Sequence, residues 1–361
     1  MLEDLYTIYV YGVFFTVSIV FSFLINRIFL RFVKTLGIRN QDDTIIRWGT
    51  QSKPAVGGFS FYIIFLLSII TYSIFFDSNQ VFLSKEFIGI LLSTMLGFLL
   101  GLADDAYNTK PILKFLTQVT CGIILMVTGT QISISYIEPI NYLITIFWVV
   151  GIMNSLNMLD NMDAITTTVS ISIMLSALTV LVFHHELNSV YFIILTGVIA
   201  ALTGFLYFNW HPSKMYMGDT GSQFIGVFLA AIGIKLFWNE APPSGDLISA
   251  RNLLLPMLVF IMPIIDTTCV TINRLAKGQS PFVGGKDHTT HALVYLGLSD
   301  KQVALVFCCI TFVSVILVFL IEKYITSWTH LYTALFAGYF LALLGLFYYA
   351  TRIAAKVSNA K

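Results

Sequence analysis

Two adjacent carboxylates, Asp104 and Asp105, close an apolar run in the stretch GFLLGLADDAYNTK. Neighbouring like charges raise each other's pKa, so such a pair needs water, a cation or a positive partner. Lys110 and Lys114 follow within helical reach and would compensate it. The pair reads as a Mg²⁺-linked or proton-accepting site, against the plainer reading of two solvated acids at a helix end. Asn154, Asn157, Asp160 and Asp163 recur every three residues. On a helix that spacing stacks four oxygen-bearing side chains near one face, and Mg²⁺ favours carboxylate and phosphate oxygens. The plainer alternative is a polar face packed on other helices.

In MYMGDTGS, Asp219 stands between Gly218 and Thr220 where an apolar segment begins. Free N–H groups and the positive end of a helix suit phosphate, and the carboxylate suits a metal that bridges phosphate oxygens; a simple helix cap is the alternative. In GGKDHTTH, Lys286, His288 and His291 read as a cationic cradle for phosphate. Zinc fits less well, because no third ligand is evident. Asp266 lies inside an apolar segment, with Arg274 two turns on as its expected partner.

The elements that must position these groups are membrane helices. The chain has 361 residues, of which 57% are hydrophobic and 11% charged. A soluble domain carries about a quarter charged residues. Eleven windows reach spanning length and apolarity: 8–30, 57–76, 87–103, 112–129, 142–159, 165–183, 190–208, 220–238, 252–272, 302–321 and 331–350. The fold class is an all-α polytopic membrane protein of about 11 (10–11) transmembrane helices, forming a single domain over 1–361. The acidic start MLEDLY and the long first run read as a retained span rather than a signal peptide. Cys121, Cys269, Cys308 and Cys309 sit in apolar runs without CxxC spacing and read as small buried hydrophobes.

Of 20 lysines and arginines, only Lys85, Lys235, Arg251 and Lys323 fall on one side of this arrangement. The positive-inside rule then puts the N-terminus outside and the C-terminus in the cytoplasm. Every polar cluster above falls on the cytoplasmic side, as does Lys53 in SKPAVGG before the second window. Clustering on one face suits chemistry on a cytosolic substrate. A secondary transporter, the alternative of a different class, would gather its ionisable residues near mid-membrane, often with repeat symmetry. No basic-aromatic surface for nucleic acid is present.

Taken together, the clusters resemble the polyprenyl-phosphate N-acetylhexosamine-1-phosphate transferases, over about residues 30–310. PxxGG is matched by Pro54–Gly58, GxxDD by Gly101–Asp105, KFxxQ by Lys114–Gln118, NxxNxxDGxDG by Asn154–Ala164, FMGDxGS by Tyr216–Ser222, and the histidine motif by His288–His291. Asn161 and Ala164 stand where that pattern has glycine. HTTH in place of three consecutive histidines points to the WecA/TagO branch and away from the MraY-like phospho-MurNAc-pentapeptide transferases, the alternative within the family.

The resemblance implies Mg²⁺ as cofactor, with Mn²⁺ able to substitute, held by Asp219 with Asn157 as second ligand. It implies that Asp160 and Asp163 organise the metal and diphosphate. Asp104 or Asp105 would act as base or orienter on the lipid phosphate. Asn209 and Tyr216 would lie at the uridine, the Tyr216 ring stacking on uracil. Lys53, Lys114, Lys286, His288 and His291 would bind substrate charge. The implied partners are a UDP-N-acetylhexosamine, most simply UDP-GlcNAc, undecaprenyl phosphate and the bilayer of a bacterial inner membrane, with a homodimer as one assembly. Direct attack by the lipid phosphate is preferred to a covalent aspartyl-phosphate.

Overall fold

The computed structural model describes residues 2–36, 53–76, 82, 84–239, 249–280 and 285–359. Arg39, Arg47 and Lys361, which contribute to the charge bias, lie outside the described residues. The described chain is helical, apart from one parallel bridge between Ala55 and Tyr216. In chain order the helices are α1 (Leu2–Leu36), α2 (Gly58–Phe75), α3 (Lys85–Tyr107), α4 (Pro111–Val127), α5 (Glu138–Leu159), α6 (Ile165–Phe183), α7 (Val190–Asn209), α8 (Gly218–Gly233), α9 (Ala250–Val259), α10 (Ile261–Leu275), α11 (Thr289–Tyr295), α12 (Asp300–Tyr324) and α13 (His330–Asn359). A π-helical turn, Ile234–Trp238, extends α8.

Among the described residues nine helices are long and apolar enough to cross a membrane. The remaining two expected windows differ in form. The window 112–129 is the 17-residue helix α4. The window 252–272 is broken into α9 and α10, bent by 84°. Pro263 explains the position of the bend: it offers no N–H to the Val259 carbonyl, and its ring clashes with that carbonyl. The short α11 was not anticipated, being far below spanning length.

Helix α8 is the hub. Of the apolar window in Gly218–Trp238, 94% is buried, against 17% for His330–Val357 at the periphery. Lipid tails are as apolar as leucine, so close backbone approach rather than water exclusion holds such helices together. Glycine permits that approach where α2 and α3 meet the start of α8. A Cβ at Gly58 would lie 2.3 Å from the Gly221 nitrogen, and one at Gly101 would lie 2.1 Å from the Asp219 carbonyl oxygen.

The bundle has two distinct polar ends. At one, Thr7 of α1 and Tyr72 of α2 donate to Asn188, between α6 and α7. At the other lie the ends of α3 and α5, the start of α8, and α11. Thr351 of α13 accepts a hydrogen bond from Asn273 of α10 near this second end. The first turn of α1 and the last turns of α13 therefore lie at opposite ends of the bundle.

Candidate functional site

The second polar end is built around the first turn of α8. Helix starts leave N–H groups without intrahelical partners. Here the Asp105 carboxylate takes them: Oδ1 accepts from the Asp219 N–H at 3.0 Å, and Oδ2 from the Thr220 N–H at 2.8 Å and the Thr220 hydroxyl at 2.6 Å. This corrects the expectation that these N–H groups face a phosphate. Asp105 caps α8 from another helix, and its two oxygens are committed to that task. The segment before α2 braces the same turn, with Tyr216 N–H donating to the Pro54 carbonyl and Gly58 N–H to that of Met217.

Asp104 faces a different neighbour. Its Oδ1 accepts from the N–H and hydroxyl of Thr109, both at 2.8 Å, and its Oδ2 pairs with the Lys114 ammonium. Asn108, with φ of 50°, ends α3, and Pro111 begins α4. That tight turn swings Lys114 back across the end of α3. The Lys114 ammonium also lies 3.7 Å from Asp219 Oδ2, so one cation touches two carboxylates that themselves lie within hydrogen-bonding reach. Lys110, also expected to compensate the acids, is exposed. Below Lys114 on α4, Gln118 exchanges amide hydrogen bonds with Asn154 and donates to Gln223, joining α4, α5 and α8.

The four-residue ladder does not lie along one helix face as the spacing suggests. Asn154 and Asn157 are on α5, Asp160 is its C-cap, and Asp163 lies in the turn beyond. Asn157 Nδ2 donates to Asp219 Oδ1 at 2.7 Å and to Ser222 Oγ at 2.9 Å, which leaves the amide oxygen as a ligand. Asp160 lies near Asp105 and Asp163. Burial and these two like charges push its carboxyl up to about 7. Asp163 is held by Ser213 through both N–H and hydroxyl, by His211 Nδ1 at 3.0 Å, and by Lys53 at 3.8 Å. Its geometry is that of a positioning group for the 211–216 segment rather than one open to substrate.

Two of the residues assigned to the nucleotide behave differently from each other. Asn209 is 2% exposed, and its amide is spent internally. Its oxygen accepts from Ala164 N–H and the Thr167 hydroxyl, and its nitrogen donates to the Met215 carbonyl. It shapes the site without facing it, which corrects its placement at the uridine. Tyr216 is half-buried, and the Lys53 ammonium lies 5.2 Å from its ring centroid while donating to Ser213 at 2.9 Å. A cation over a ring is favourable and steadies it.

The histidine segment also departs from expectation. Asp266, fully buried on α10, pairs with His288 Nδ1 at 2.8 Å and accepts from the N–H and hydroxyl of Thr289. Arg274 is not its partner; Arg274 binds Asp287 through two nitrogens, at 2.7 and 2.6 Å. That guanidinium holds the Asp287 carboxyl below the usual range. His291 is 2% exposed, and burial with the neighbouring His288 drives its pKa down to about 3, so it is neutral at physiological pH. The expected cationic cradle of His288 and His291 is therefore replaced by a buried bracket, and only Lys286 of that group is exposed.

Sequence reading missed Ser213, Thr290, His211 and Thr109. Ser213 lies 50 residues from Asp163, and nothing local marks the pairing. His211, in NWHPSK a few residues before the glycine-aspartate motif, is the one local signal.

Among the described residues no group of three or more His, Cys, Asp or Glu side chains converges to hold a metal unaided. The donors instead form an open set: the Asp219 carboxylate, with its side chain 34% exposed, and the Asn157 amide oxygen beside it. Mg²⁺ is commonly bound by one or two carboxylates completed by substrate phosphates and water. The residues present fit such an ion. The arrangement puts a cation, Lys114, beside a carboxylate able to hold a metal, Asp219, at the end of a membrane bundle.

The glycosyl transferase family 4 profile matches residues 87–237, which span α3 to α8 and most of these residues. The chain is 27% identical over 288 residues to a probable undecaprenyl-phosphate N-acetylglucosaminyl 1-phosphate transferase of Bacillus subtilis, covering 77% of this chain and 76% of that protein. It is 28% identical over 234 residues to a decaprenyl-phosphate N-acetylglucosaminephosphotransferase of Mycobacterium tuberculosis, covering 57% of this chain and 56% of that one. A phospho-N-acetylmuramoyl-pentapeptide-transferase of Streptococcus agalactiae is 31% identical over 229 residues, covering 58% of this chain and 67% of that protein. The family profile and these relatives agree, and the chain belongs to glycosyl transferase family 4, the polyprenyl-phosphate sugar-1-phosphate transferases.

Proposed function

We propose that the protein transfers N-acetylglucosamine 1-phosphate from UDP-GlcNAc to undecaprenyl phosphate, releasing UMP. The observation that carries this reading is the triad in which Lys114 pairs with both Asp104 and Asp219, with Asn157 against Asp219. It offers one cation and one open metal-binding carboxylate side by side, as a diphosphate requires. The charge bias favours a site on the cytoplasmic face of the membrane.

An oxygen of the lipid phosphate attacks the sugar-linked phosphorus. The bond to the bridging oxygen breaks, and the electron pair leaves with UMP. A phosphate monoester has its second pKa near 6, so the attacking group is already largely ionised and alignment matters more than a general base. Asp104 and Asp105 therefore act by position: the first orients Lys114, the second fixes Asp219. Lys114 neutralises phosphate charge as it moves toward the leaving group. Asp219 and Asn157 would hold Mg²⁺, which supplies further neutralisation of the diphosphate when bound. Tyr216, steadied by Lys53, offers a face to uracil.

The sequence similarity to a pentapeptide transferase supports a second donor, UDP-MurNAc-pentapeptide. Incubating the purified protein with undecaprenyl phosphate, Mg²⁺ and a panel of UDP-sugars decides between them. UMP release from UDP-GlcNAc supports the first reading; release from the pentapeptide nucleotide alone would replace it with the second.

A further inference from the structure

Residues 287–290 are fastened at several points. Arg274 holds Asp287, and Asp266 holds His288 and Thr289, both from α10. Thr290 reaches elsewhere. Its hydroxyl donates to Asn161 Oδ1 at 2.8 Å, and Asn161 Nδ2 donates in turn to the Met158 carbonyl at 2.8 Å, in the last turn of α5. Thr290 is fully buried, and the Asn161 side chain, spanning the two, closes a link from α11 to the end of α5.

That link sits within the machinery. Asn157 precedes Met158, and Asp160 precedes Asn161. A turn that leaves a helix end has few bonds of its own, so a side-chain anchor sets its position. We propose that Asn161 and Thr290 are positioning residues for the transfer reaction, their hydrogen bond setting Asn157 against Asp219 and Asp160 beside Asp105, and tying that geometry to α10 and α11. The inference rests on the function proposed above. It differs from simple structural support in locating the effect in turnover rather than in folding.

The test uses the full chain in detergent. Thr290→Val keeps the shape of the buried side chain and removes its donor, and Asn161→Ala removes the acceptor; should Thr290→Val fail to fold, Asn161→Ala reports the same link from the other side. Steady-state UMP release is measured for both, for the double variant and for Thr290→Ser, with amide exchange over 158–164 as a second readout. Each single variant should lose about tenfold in kcat with the nucleotide KM little changed, and the double variant should be no worse than either alone. Thr290→Ser should restore turnover, and exchange over 158–164 should quicken in Thr290→Val and Asn161→Ala. Losses that multiply in the double variant, unchanged kcat, or unchanged exchange would overturn the proposal. If the wild type released no UMP from any sugar nucleotide, the functional reading would fall, while the exchange measurement would still decide whether α11 holds the turn.

Discussion

Asp105, on α3, binds the backbone N–H groups of Asp219 and Thr220, which lie 114 and 115 residues further along the chain at the start of α8. The contact makes one carboxylate the support of another. Hydrogen bonds to a charged group contribute roughly 1.5–3 kcal/mol each. Asp105→Ala is expected to lower the thermal midpoint and the activity together. Asp219→Ala, which leaves the α8 cap in place, is expected to abolish activity with little change in midpoint. Paired melting and turnover measurements check this; equal destabilisation by the two variants would contradict it.

Lys114 should matter for rate. Removing its ammonium leaves Asp104 and Asp219, which lie within hydrogen-bonding reach of each other, without the cation that touches both. Loss of one preorganised electrostatic contact costs about 10²–10³ in kcat, and Lys114→Ala should fall in that range. Lys114→Arg should recover part of the loss, because charge is kept but the fork geometry differs. A Lys114→Ala enzyme with wild-type kcat would remove the residue from the mechanism.

Asp160 predicts a pH signature. Its carboxyl is raised from 3.8 to about 7 in the folded protein by burial and by Asp105 and Asp163. The folded state keeps a proton that the unfolded chain releases near 4, so stability from this group is fully present below about pH 4 and is lost as pH rises through about 7. The midpoint of the metal-free protein should fall between pH 5 and pH 8, and Asp160→Asn should flatten that interval. A slope identical in the variant would show that another group titrates there.

Ala164 has φ of 67° at the start of α6, a conformation that disfavours a side chain. A non-glycine residue there costs about 1–2 kcal/mol, partly offset by the greater chain entropy that glycine loses on folding. Ala164→Gly should leave the melting midpoint unchanged or raise it, whereas Ala164→Val should lower it. A clear drop in Ala164→Gly would mean that the methyl group packs more favourably than its backbone is strained.

The helices were legible because a membrane demands long apolar runs, and each of the eleven windows has a helical counterpart. The bend between α9 and α10 was less visible, since Pro256 and Pro263 both lie in that window and only packing shows which one breaks it. Within the candidate site, motif spacing marks residues that the fold gathers at one end of the bundle but not the partners that hold them. Asp104 and Asp105 are adjacent in sequence yet serve different partners, Lys114 and the α8 backbone. Asn209 and Asp163 looked available for substrate because sequence does not reveal that Met215 and Ser213 fold back to consume their hydrogen-bonding capacity. The even spacing of Asn154 to Asp163 suggested a continuous helix, but α5 ends at Leu159.

Transfer itself is measured by giving the purified protein UDP-GlcNAc, undecaprenyl phosphate and Mg²⁺ and following UMP together with the lipid product. The wild type should form equal amounts of UMP and undecaprenyl-diphosphate-GlcNAc, and Asp219→Ala should form neither. UMP without the lipid product, or equal turnover by wild type and Asp219→Ala, would contradict it.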